Sequence, residues 1–596
     1  MPFPRTVCEF AGCHLRKAAA WGALLLVWIC LATICLATTA LATWQDDIGF
    51  TQLQVSLGGQ LPIGAGVAVA MAEASSDGNF FPDTTYSEFI AVDDPLGNPV
   101  NWTNGSTGPG IPAGSSNHAT NSVGRYFFGN TLSVAPGAND VTVYEATDYL
   151  NIVLGYQDED PPVVPTYVVH NHSYIGSPDD DVIDLSLLRR LDYVIDTYDV
   201  TMSVGLNNNN NSTLLPDPTK PHPNVFSYSY NAISVGNTDA THSRGATDLL
   251  YGPGRLRPDI VVPRTSTSSA TAIVSSVATL LHGELAGTLG AKSEAIRAML
   301  LAGATKEEFA TFVEPTTGVA NPWERVATQP LDDIFGAGEL NVFNSYLMTQ
   351  TGDPVLKGRY AGSTTIPPTV GSHGWDYQAS ITPGTDVLYD FIVPTGSTAP
   401  ELSIVLAWNV AVVDTQPGPT FLPEEQELAN LDLQLVDSVG ATVDESISKA
   451  VGPENTDGYP LEHIYLTDLA PGTYTLKVSA ETARDYGLAW RMSTLFDTPT
   501  ADFDGNGLVD GADFVAWQRG FGTLVEATLG MGDADGDGDV DADDLAIFSA
   551  AAGPAAAALP RFSVAVPEPT SALLASMGLV SFFLMRRSRF RSRENG

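Results

Sequence analysis

The 596-residue chain has almost no cysteine, and the little it has lies at one end. All four cysteines, Cys8, Cys13, Cys30 and Cys35, fall within the first 42 residues. Without that segment the chain has no disulfide framework and no thiol nucleophile, which excludes a disulfide-rich scaffold and cysteine catalysis. Basic residues are also few, with 28 Lys and Arg against 69 Asp and Glu and a formal net charge of −41. A surface this acidic disfavours nucleic acid and anionic membranes as partners.

The N-terminus has the composition of an export signal. Arg5, Arg16 and Lys17 precede an apolar stretch over residues 18–41, which closes in small residues. A basic start, an apolar stretch and a small-residue end predict a signal peptide over residues 1–42. The apolar stretch is also long enough for an uncleaved membrane anchor, which is the alternative interpretation.

The C-terminus combines three features of a sorting tail. Residues 566–569 are Val-Pro-Glu-Pro, an apolar run covers residues 572–585, and arginines follow at positions 586, 587, 589, 591 and 593. The tail, residues 566–596, resembles the PEP-CTERM sorting signal of Gram-negative bacteria, which an exosortase processes at the cell envelope. With the signal peptide, it implies an exported protein of the envelope or the extracellular space. The apolar run is short for a full span, so a permanent tail anchor is the less favoured alternative.

A turn rich in hydroxyl side chains predicts a serine nucleophile. Residues 257–281 place this turn between a strand-like apolar run, residues 260–262, and a long apolar helix. A serine there lies beside the N–H groups of the helix start. The segment resembles the P-D-x-x-A-P and G-T-S-x-A-x-P motifs of the subtilase superfamily of serine peptidases, which makes Ser268 the nucleophile. Ser266 replaces the motif's Gly and Ala272 its last Pro, and an ordinary solvated turn is the alternative.

Upstream of the nucleophile, an acid and a base follow the order that this family uses. The apolar run 66–72 is followed by Glu73, where the family motif G-V-x-V-A-V-I-D has its aspartate. Glutamate can also orient an imidazole and stabilise the imidazolium. His118 lies in S-S-N-H-A-T-N-S-V-G, which resembles the H-G-T-H-V-A-G motif, although Asn121 replaces its second histidine. Residues 133–138, S-V-A-P-G-A, match the V-A-P-x-A turn of the family.

An asparagine completes the site that the resemblance implies. The strand-like residues 200–205 lead into an Asn-rich loop, which is similar to the family's V-x-A-A-G-N segment and makes Asn207 the oxyanion donor. The resemblance implies an endopeptidase acting on protein or peptide substrates. In its mechanism Ser268 attacks the carbonyl, His118 acts as general base and then acid, and Glu73 orients His118.

Other interpretations of these residues stay open. Asp77 is a nearby substitute for Glu73 as the acid, and the run of asparagines at 207–211 is also compatible with a flexible polar loop. The departures from the family motifs at Glu73, Asn121, Ser266 and Ala272 motivate a second function. The protein would then be a catalytically inactive surface binding protein that keeps the fold as a scaffold.

The order of apolar segments predicts the fold of this region. Runs at 67–72, 163–169 and 200–204 have the length of strands, and residues 185–197 have a helix-like pattern. Such alternation is typical of an α/β fold, here a subtilisin-like doubly wound parallel sheet, and we assign it to residues 43–350. In such sheets the functional site lies at the carboxyl ends of the strands.

Two histidines on one predicted strand raise the question of a metal site. His170 and His172 alternate along the strand, so both side chains lie on one face. Because no third ligand is evident in the sequence, we favour the interpretation without a metal.

The next segment, residues 351–497, changes to short runs of period two separated by Gly and Pro. Residues 402–408, 431–435 and 474–478 show the alternation, which predicts an antiparallel β-sandwich. It resembles the sandwich modules that follow the catalytic domain in secreted subtilases. Structural support of the peptidase domain is the favoured role, and binding of a substrate or surface is the alternative.

Two acidic loops predict calcium binding in residues 498–553. Each has oxygen-bearing residues at the spacing of a calcium loop, Gly at position 6 and a helical run after it. The pair resembles a dockerin type I domain, a small α-helical calcium-folded module whose family docks onto cohesin domains, and a docking role in a surface assembly is a third functional interpretation. Position 12, the last of each loop, is Asp, whereas EF-hands more often have Glu at this position. The predicted Ca²⁺ ligands are Asp502, Asp504, Asn506, Leu508, Asp510 and Asp513 in the first loop, and Asp533, Asp535, Asp537, Asp539, Asp541 and Asp544 in the second. A linker rich in Ala and Pro, residues 554–565, leads to the sorting tail.

Overall fold

The computed structural model describes residues 43–552 with several gaps. The gaps are residues 76–77, 91–98, 109, 157–159, 177, 179, 209–224, 248, 252–254, 315–317, 352–358, 361–367, 416–419, 426–427, 449–457, 497–498 and 506–507. The predicted signal peptide and sorting tail, the linker, Asp77 and Asn506 therefore lie outside the described residues. Within the described part of the chain, no helix combines the length and the apolar character needed to cross a membrane.

A parallel sheet forms the centre of the N-terminal half. The strands of this half are β1 (Ala68–Glu73), β2 (Asn101–Asn104), β3 (Asp140–Glu145), β4 (Val169–His172), β5 (Thr201–Gly205), β6 (Ile233–Asn237), β7 (Gly245–Ala246), β8 (Leu256–Arg257) and β9 (Ile260–Val262). Seven of them pair in the order β2-β3-β1-β4-β5-β6-β9, all parallel, and β7 and β8 form a separate ribbon. The central strands are short and buried on both faces, as parallel strands between helical layers are. The predicted parallel α/β sheet is confirmed.

Helices cover both faces of this sheet. They are α1 (Trp44–Asp47), α2 (Phe50–Leu57), α3 (Arg125–Phe127), α4 (Ala146–Asp148), α5 (Asp181–Tyr198), α6 (Thr267–Glu284), α7 (Ser293–Ala302) and α8 (Val342–Thr351), with π-helical segments at His118–Gly124 and Tyr149–Val153. Short 3-10 turns are found at Gly58–Gln60, Ser87–Phe89, Val225–Tyr228, Leu249–Tyr251, Leu289–Ala291 and Glu307–Phe309. Apolar residues of α6 belong to the core on one face, and those of α5 to the core on the other. The helix predicted over residues 185–197 lies inside α5, which Asp180 caps by accepting from the backbone N–H groups of Val182 and Ile183.

One predicted strand begins later than expected. We expected it over residues 163–169, whereas β4 starts at Val169 and continues to His172. Pro165 has no N–H to give to a neighbouring strand, and Val163 and Val164 are exposed. The apolar run before β4 is therefore a connecting segment that leads to the strand and is not part of the sheet.

Two antiparallel sheets follow in the sequence. Their strands are β10 (Arg359–Tyr360), β11 (His373–Gln378), β12 (Val387–Val393), β13 (Ser397–Ala407), β16 (Leu431–Val436), β17 (Thr442–Ser446), β18 (Leu461–Leu469), β19 (Gly472–Ala480) and β20 (Tyr486–Phe496), and β14 (Val412–Asp414) and β15 (Pro423–Glu425) form a ribbon. One sheet has the order β10-β12-β19-β16-β17 and the other β11-β20-β13-β18. Their apolar faces share one core, to which Phe391 and Leu433 contribute from the first sheet and Ile404 and Trp490 from the second. These two sheets with their common core are called the sandwich below.

The sandwich packs directly on the α/β part. Gly487 in β20 lies so close to α7 that a Cβ there would overlap the backbone of Ala295. Trp375 in β11 packs in the same way on Gly290, and its ring belongs to the core that α6 and α7 also line. The contact supports the view that the sandwich braces the α/β part.

A small two-helix module, residues 499–552, ends the described chain. Its helices are α9 (Gly511–Gly520) and α10 (Ala542–Ala552), with a 3-10 turn at Leu529–Met531. Each helix begins after an acidic loop. Phe503, Trp517, Val540 and Phe548 form the centre of a core that belongs to this module alone.

Candidate active site

An open cleft of about 380 Å³ lies at the carboxyl ends of the central strands. At this edge the parallel strands end and the loops to the following helices begin, which is the usual position of a functional site in such sheets. The cleft is lined by Glu73, Ala74, Ser75, His118, Ser173, Tyr174, Ile175, Gly205, Leu206, Asn207, Asn208, Thr267 and Ser268. All four residues predicted for catalysis, Glu73, His118, Asn207 and Ser268, are among them.

Ser268 is the second residue of α6, just after β9. The first N–H groups of a helix have no acceptor within the helix and carry partial positive charge, so this position suits a developing oxyanion. The Ser268 side chain is largely buried, with 7% of the residue exposed. Its Oγ lies 3.3 Å from the backbone oxygen of Ser173, and the Ser173 hydroxyl donates to the backbone oxygen of Ser268 at 2.9 Å. The end of β4 and the start of α6 are thus held together.

His118 lies at the start of the π-helical segment, between the acid and the serine. Its Nε2 is 2.9 Å from Ser268 Oγ. The backbone beside it is held by Ser116, whose hydroxyl accepts from the backbone N–H of Ala119 and whose backbone oxygen accepts from Thr120. The His118 side chain is 42% exposed toward the cleft, so a substrate could reach the imidazole.

Glu73 is the last residue of β1 and is 1% exposed. Its two carboxylate oxygens lie 2.8 and 3.0 Å from His118 Nδ1. This contact fixes the tautomer that has a proton on Nδ1 and leaves Nε2 to accept the serine proton. The glutamate side chain therefore reaches the imidazole from the last residue of the strand.

The electrostatics of the pair favour proton transfer to the imidazole. The hydrogen bond from Glu73 raises the pKa of His118 above its usual value, against the effect of partial burial, and the carboxylate charge adds to this rise. Burial raises the pKa of the Glu73 carboxyl, and the hydrogen bond and charge of His118 oppose that rise. An imidazolium formed when Ser268 loses its proton is thus stabilised by the adjacent carboxylate.

Two asparagines lie where the oxyanion donor is expected. Asn207 follows β5, and its backbone is fixed by Ser243, which accepts from the Asn207 N–H through its hydroxyl and donates its own N–H to the Asn207 carbonyl. Asn208 is bound to the nucleophile turn, because its Oδ1 accepts from the backbone N–H of Thr267 at 2.7 Å and from the Thr267 hydroxyl at 3.1 Å. These two bonds hold the Asn208 side chain at the nucleophile turn.

The sequence alone did not single out Asn208 or Ser173. Their contacts with the nucleophile turn join segments that are distant in the sequence, and no local pattern marks them.

Of the four departures from the family motifs, Glu73 is part of the series of hydrogen bonds, and the other three lie outside it. Ser266 is the N-cap of α6, Asn121 bonds Asn117, and Ala272 is fully buried inside α6. Alanine at that position lets the helix keep its backbone hydrogen bonds, which a proline would interrupt.

A second cleft, of about 370 Å³, adjoins the first. The two share Ala74, Ser75, Tyr174 and Ile175. Its further lining is mainly apolar and includes Leu150, Val225 and Phe226, together with Glu145, whose carboxylate accepts from the backbone N–H of Asp148. Together the two clefts form an extended groove.

His170 and His172 lie on the face of the sheet covered by α5, and the His172 ring packs against Tyr174 and Phe226, which line the groove. Both are completely buried, with ring centroids 4.2 Å apart, and the Tyr149 ring packs against each of them. Among the described residues, neither ring has a hydrogen-bond partner at either nitrogen. Burial lowers the pKa of His172 to about 3 and that of His170 well below its usual value. Both rings are therefore neutral at physiological pH.

The acidic loops bring carboxylates together. Among the described residues, three groups of carboxylates have oxygens within 4.8 Å of one another: Asp502, Asp504 and Asp513; Asp533, Asp535 and Asp544; and Asp539, Asp541 and Asp544. The last aspartate of each loop also accepts backbone N–H groups, Asp513 from Phe503 and Asp544 from Ala534. Asp510 caps α9, Asp537 accepts from the Asp539 N–H, and the side chain of Leu508 is exposed.

Comparison with known proteins finds partial backbone likeness to two serine peptidases. A Pseudomonas sedolisin, a serine-carboxyl proteinase complexed with two molecules of pseudo-iodotyrostatin, is similar over 50% of this chain and 96% of that chain, with 16% identity and a TM-score of 0.33. The serine protease MycP1, an essential component of the type VII (ESX-1) secretion system, is similar over 52% of this chain and 89% of that chain, with 15% identity and a TM-score of 0.29. No protein-family model and no curated protein matches the chain. Likeness at this level assigns no role to any residue.

Proposed function

We propose that the protein is a serine endopeptidase with a Ser-His-Glu triad. The observation that carries the proposal is the uninterrupted series from the buried Glu73 carboxylate through His118 to Ser268 Oγ, with contacts of 2.8 and 2.9 Å. A nucleophile within reach of a base, which is oriented by a third group, is the arrangement that acyl transfer needs. Its position in an open groove supports a peptide as the substrate.

The mechanism follows from these contacts. His118 Nε2 takes the proton of Ser268 as its Oγ attacks the scissile carbonyl, and the imidazolium later gives this proton to the leaving amine. Glu73 stays ionised, holds the imidazole and stabilises its positive charge. Water, deprotonated by His118, then attacks the acyl-enzyme and releases the second product.

The oxyanion would form beside the start of α6. Ser268, Asn207 and Asn208 line the cleft, and their candidate donors are the backbone N–H of Ser268 and the side-chain amides of the two asparagines. Each donor aimed at a developing oxyanion contributes about 10²–10³ in rate in such enzymes. The fixed Asn208 carbonyl supports a role for its amide nitrogen beside that of Asn207.

The second cleft supports recognition of a substrate side chain next to the reacting bond. Its apolar lining of Leu150, Val225 and Phe226 suits a large apolar residue. We expect cleavage to prefer peptides with an apolar residue at that position.

We also propose that the two acidic loops bind Ca²⁺. Calcium prefers six to eight oxygen ligands at positions 1, 3, 5, 7, 9 and 12 of such a loop. The clustered carboxylates fit this donor set. Asp539 Oδ1 is buried without a hydrogen-bond partner among the described residues, and a bound cation would contact this oxygen. A bound ion would neutralise the carboxylates and fix the loops. Isothermal titration calorimetry of the full chain should give two sites, and an absence of binding would contradict the proposal.

The segments outside the described residues support export. We propose that the signal peptide of residues 1–42 directs the protein out of the cytoplasm and that an exosortase removes the tail of residues 566–596. A cohesin-like partner for the two-helix module is a further proposal from the dockerin resemblance. Pulldown by the full chain, with and without chelator, tests it.

Peptide hydrolysis by the exported chain tests the enzymatic proposal. We expect wild type to cleave members of a mixed peptide pool, detected by mass spectrometry, and the Ser268→Ala variant to lose this activity. Ser269→Ala is the matched control, because the neighbouring hydroxyl bonds the backbone oxygen of Ser266 and does not contact His118. Equal cleavage by wild type and Ser268→Ala would contradict the proposal, and a folded, inert wild type would favour a binding scaffold.

A further inference from the structure

The second acidic loop is part of the contact between the two-helix module and the sandwich. Three consecutive loop residues present their backbone carbonyls to the end of β20 and the residues after it. Ala534 accepts from the N–H of Thr500 at 2.9 Å, Gly536 accepts from the hydroxyl of Thr494 at 2.6 Å, and Asp535 accepts from the N–H of Phe496. Thr500 belongs to the two-helix module, so it is the carbonyls of Asp535 and Gly536 that join the loop to the sandwich.

The segment between the two loops adds to the same contact. Leu524 and Val525 pack against the core of the α/β part and the sandwich. Glu526 lies against Gly371, where an added Cβ would overlap the carboxylate. This module face, formed by the second loop and residues 524–526, is therefore covered by the rest of the chain.

The first loop differs from the second at the equivalent position. Gly536 is residue 4 of the second loop, has φ +82° and lies so close to Phe496 that an added Cβ would meet the ring at 2.6 Å. Gly505 is residue 4 of the first loop, with φ +70°, and an added Cβ there meets nothing within 4 Å. Both glycines have a left-handed φ, and of the two only Gly536 contacts the sandwich among the described residues.

The carboxylates of the second loop also set the geometry of its docking carbonyls. Asp533 accepts from the N–H groups of Gly536 and Gly538, and Asp544 accepts from that of Ala534. These two aspartates lie among the clustered oxygens proposed to hold a cation. A change in their positions on cation loss would therefore move the carbonyls that contact Thr494, Phe496 and Thr500.

From these contacts we infer that calcium binding in the second loop is coupled to docking of the module on the sandwich, whereas the first loop binds its ion independently. The inference rests on the proposed calcium binding. Because coupling between two equilibria is reciprocal, docking must raise the calcium affinity of the second loop by the same factor by which calcium favours docking. The β-sandwich of the same chain is the partner of this loop.

Two glycine variants separate the loops in the full chain. Gly536→Ala pushes a methyl group into the Phe496 ring, and Gly505→Ala adds the same methyl group and similar backbone strain where space is open. We expect calorimetry of Gly536→Ala to show one site weakened by about tenfold or more and one unchanged. The unchanged site also shows that the module is still folded. Gly505→Ala should alter its own loop only and leave docking intact.

The distance between two spin labels, one on the sandwich and one on the two-helix module, reports directly whether the module is docked. Residues 43–596 contain no cysteine, so Val439→Cys in the turn after β16 and Ser549→Cys on α10 give two unique, exposed labelling sites. In the presence of calcium, we expect one narrow distribution of the distance between the labels, both in the chain without a glycine substitution and in Gly505→Ala. With chelator, or in Gly536→Ala, the distribution should broaden.

The outcomes distinguish the inference from the calcium proposal. Two calcium sites with a narrow distribution that chelator does not change would overturn the coupling and leave calcium binding in place. Broadening by both glycine variants would show that the loops are equivalent and would also overturn it. An absence of calcium binding by calorimetry would overturn the proposed calcium function itself.

Discussion

The Glu73→Gln substitution tests the triad most sharply. A glutamine side chain would be nearly isosteric with the native carboxylate, which lies 2.8 and 3.0 Å from His118 Nδ1 in a site 1% exposed to solvent. The substitution removes the charge that stabilises the imidazolium, and the new amide can donate to Nδ1 and favour the wrong tautomer. At about 4 Å between charge centres and an effective dielectric constant of about 20, the lost attraction is about 4 kcal/mol. We therefore expect kcat/KM to fall by about 10³-fold, and by about 10⁴-fold if the tautomer also inverts.

The pH profile of the same variant supplies a second readout. His118 acts as a base only when neutral, and Glu73 raises its pKa, so wild-type kcat/KM rises with pH through this raised value. In Glu73→Gln the hydrogen bond and charge that raise the pKa are lost, so the acid limb must move to lower pH while the plateau falls. Glu73→Asp keeps the charge with a shorter reach and should lose less. A plateau within about threefold of wild type, or an acid limb that does not move, would refute the role given to Glu73.

Three further predictions concern other residues. Asn207→Ala and Asn208→Ala should each lower kcat by about 10²–10³-fold with little change in KM, measured on a peptide substrate, and whichever variant keeps full activity is not an oxyanion donor. His172→Phe should change the pH dependence of stability, because the pKa of His172 is lowered to about 3 and wild type loses about 1.4 kcal/mol per pH unit from this group as pH falls from about 6.5 toward 3. Urea unfolding between about pH 7 and 4 should show that the free energy of unfolding of the variant rises relative to that of wild type as pH falls. Parallel plots of the two free energies against pH would contradict this. Ser268→Ala should leave the melting temperature within about 2 °C of wild type, since the Ser268 backbone keeps its bond from Ser173.

Much of the α/β part could be predicted from the sequence. Apolar runs of strand length and the strong helix pattern of α5 are local signals, and β1 and β5 were predicted within one or two residues of their bounds. The start of β4 was wrong because an apolar run with Pro165 has the composition of a buried strand but cannot complete its hydrogen bonds. The periodicity of apolar residues does not show whether a segment can form the hydrogen bonds of a strand.

The site could be predicted in part for a different reason. Glu73, His118 and Ser268 lie in segments with an order and spacing that a known family shares, so each could be named before the fold was known. The distances between them depend on long-range packing of β1, the π-helical segment and α6, to which no local pattern corresponds. The contact of Asn208 with Thr267 and the docking of the second acidic loop on β20 are likewise tertiary and could not be derived from the sequence.

The most direct test of the account is the intact mass of the purified protein, residues 43–596, after reaction with a fluorophosphonate. An activated serine should gain one phosphonyl group per chain, peptide mapping should place it on Ser268, and both Ser268→Ala and His118→Ala should fail to react. No adduct on a well-folded wild type, or an adduct that persists in His118→Ala, would contradict an activated Ser268–His118 pair.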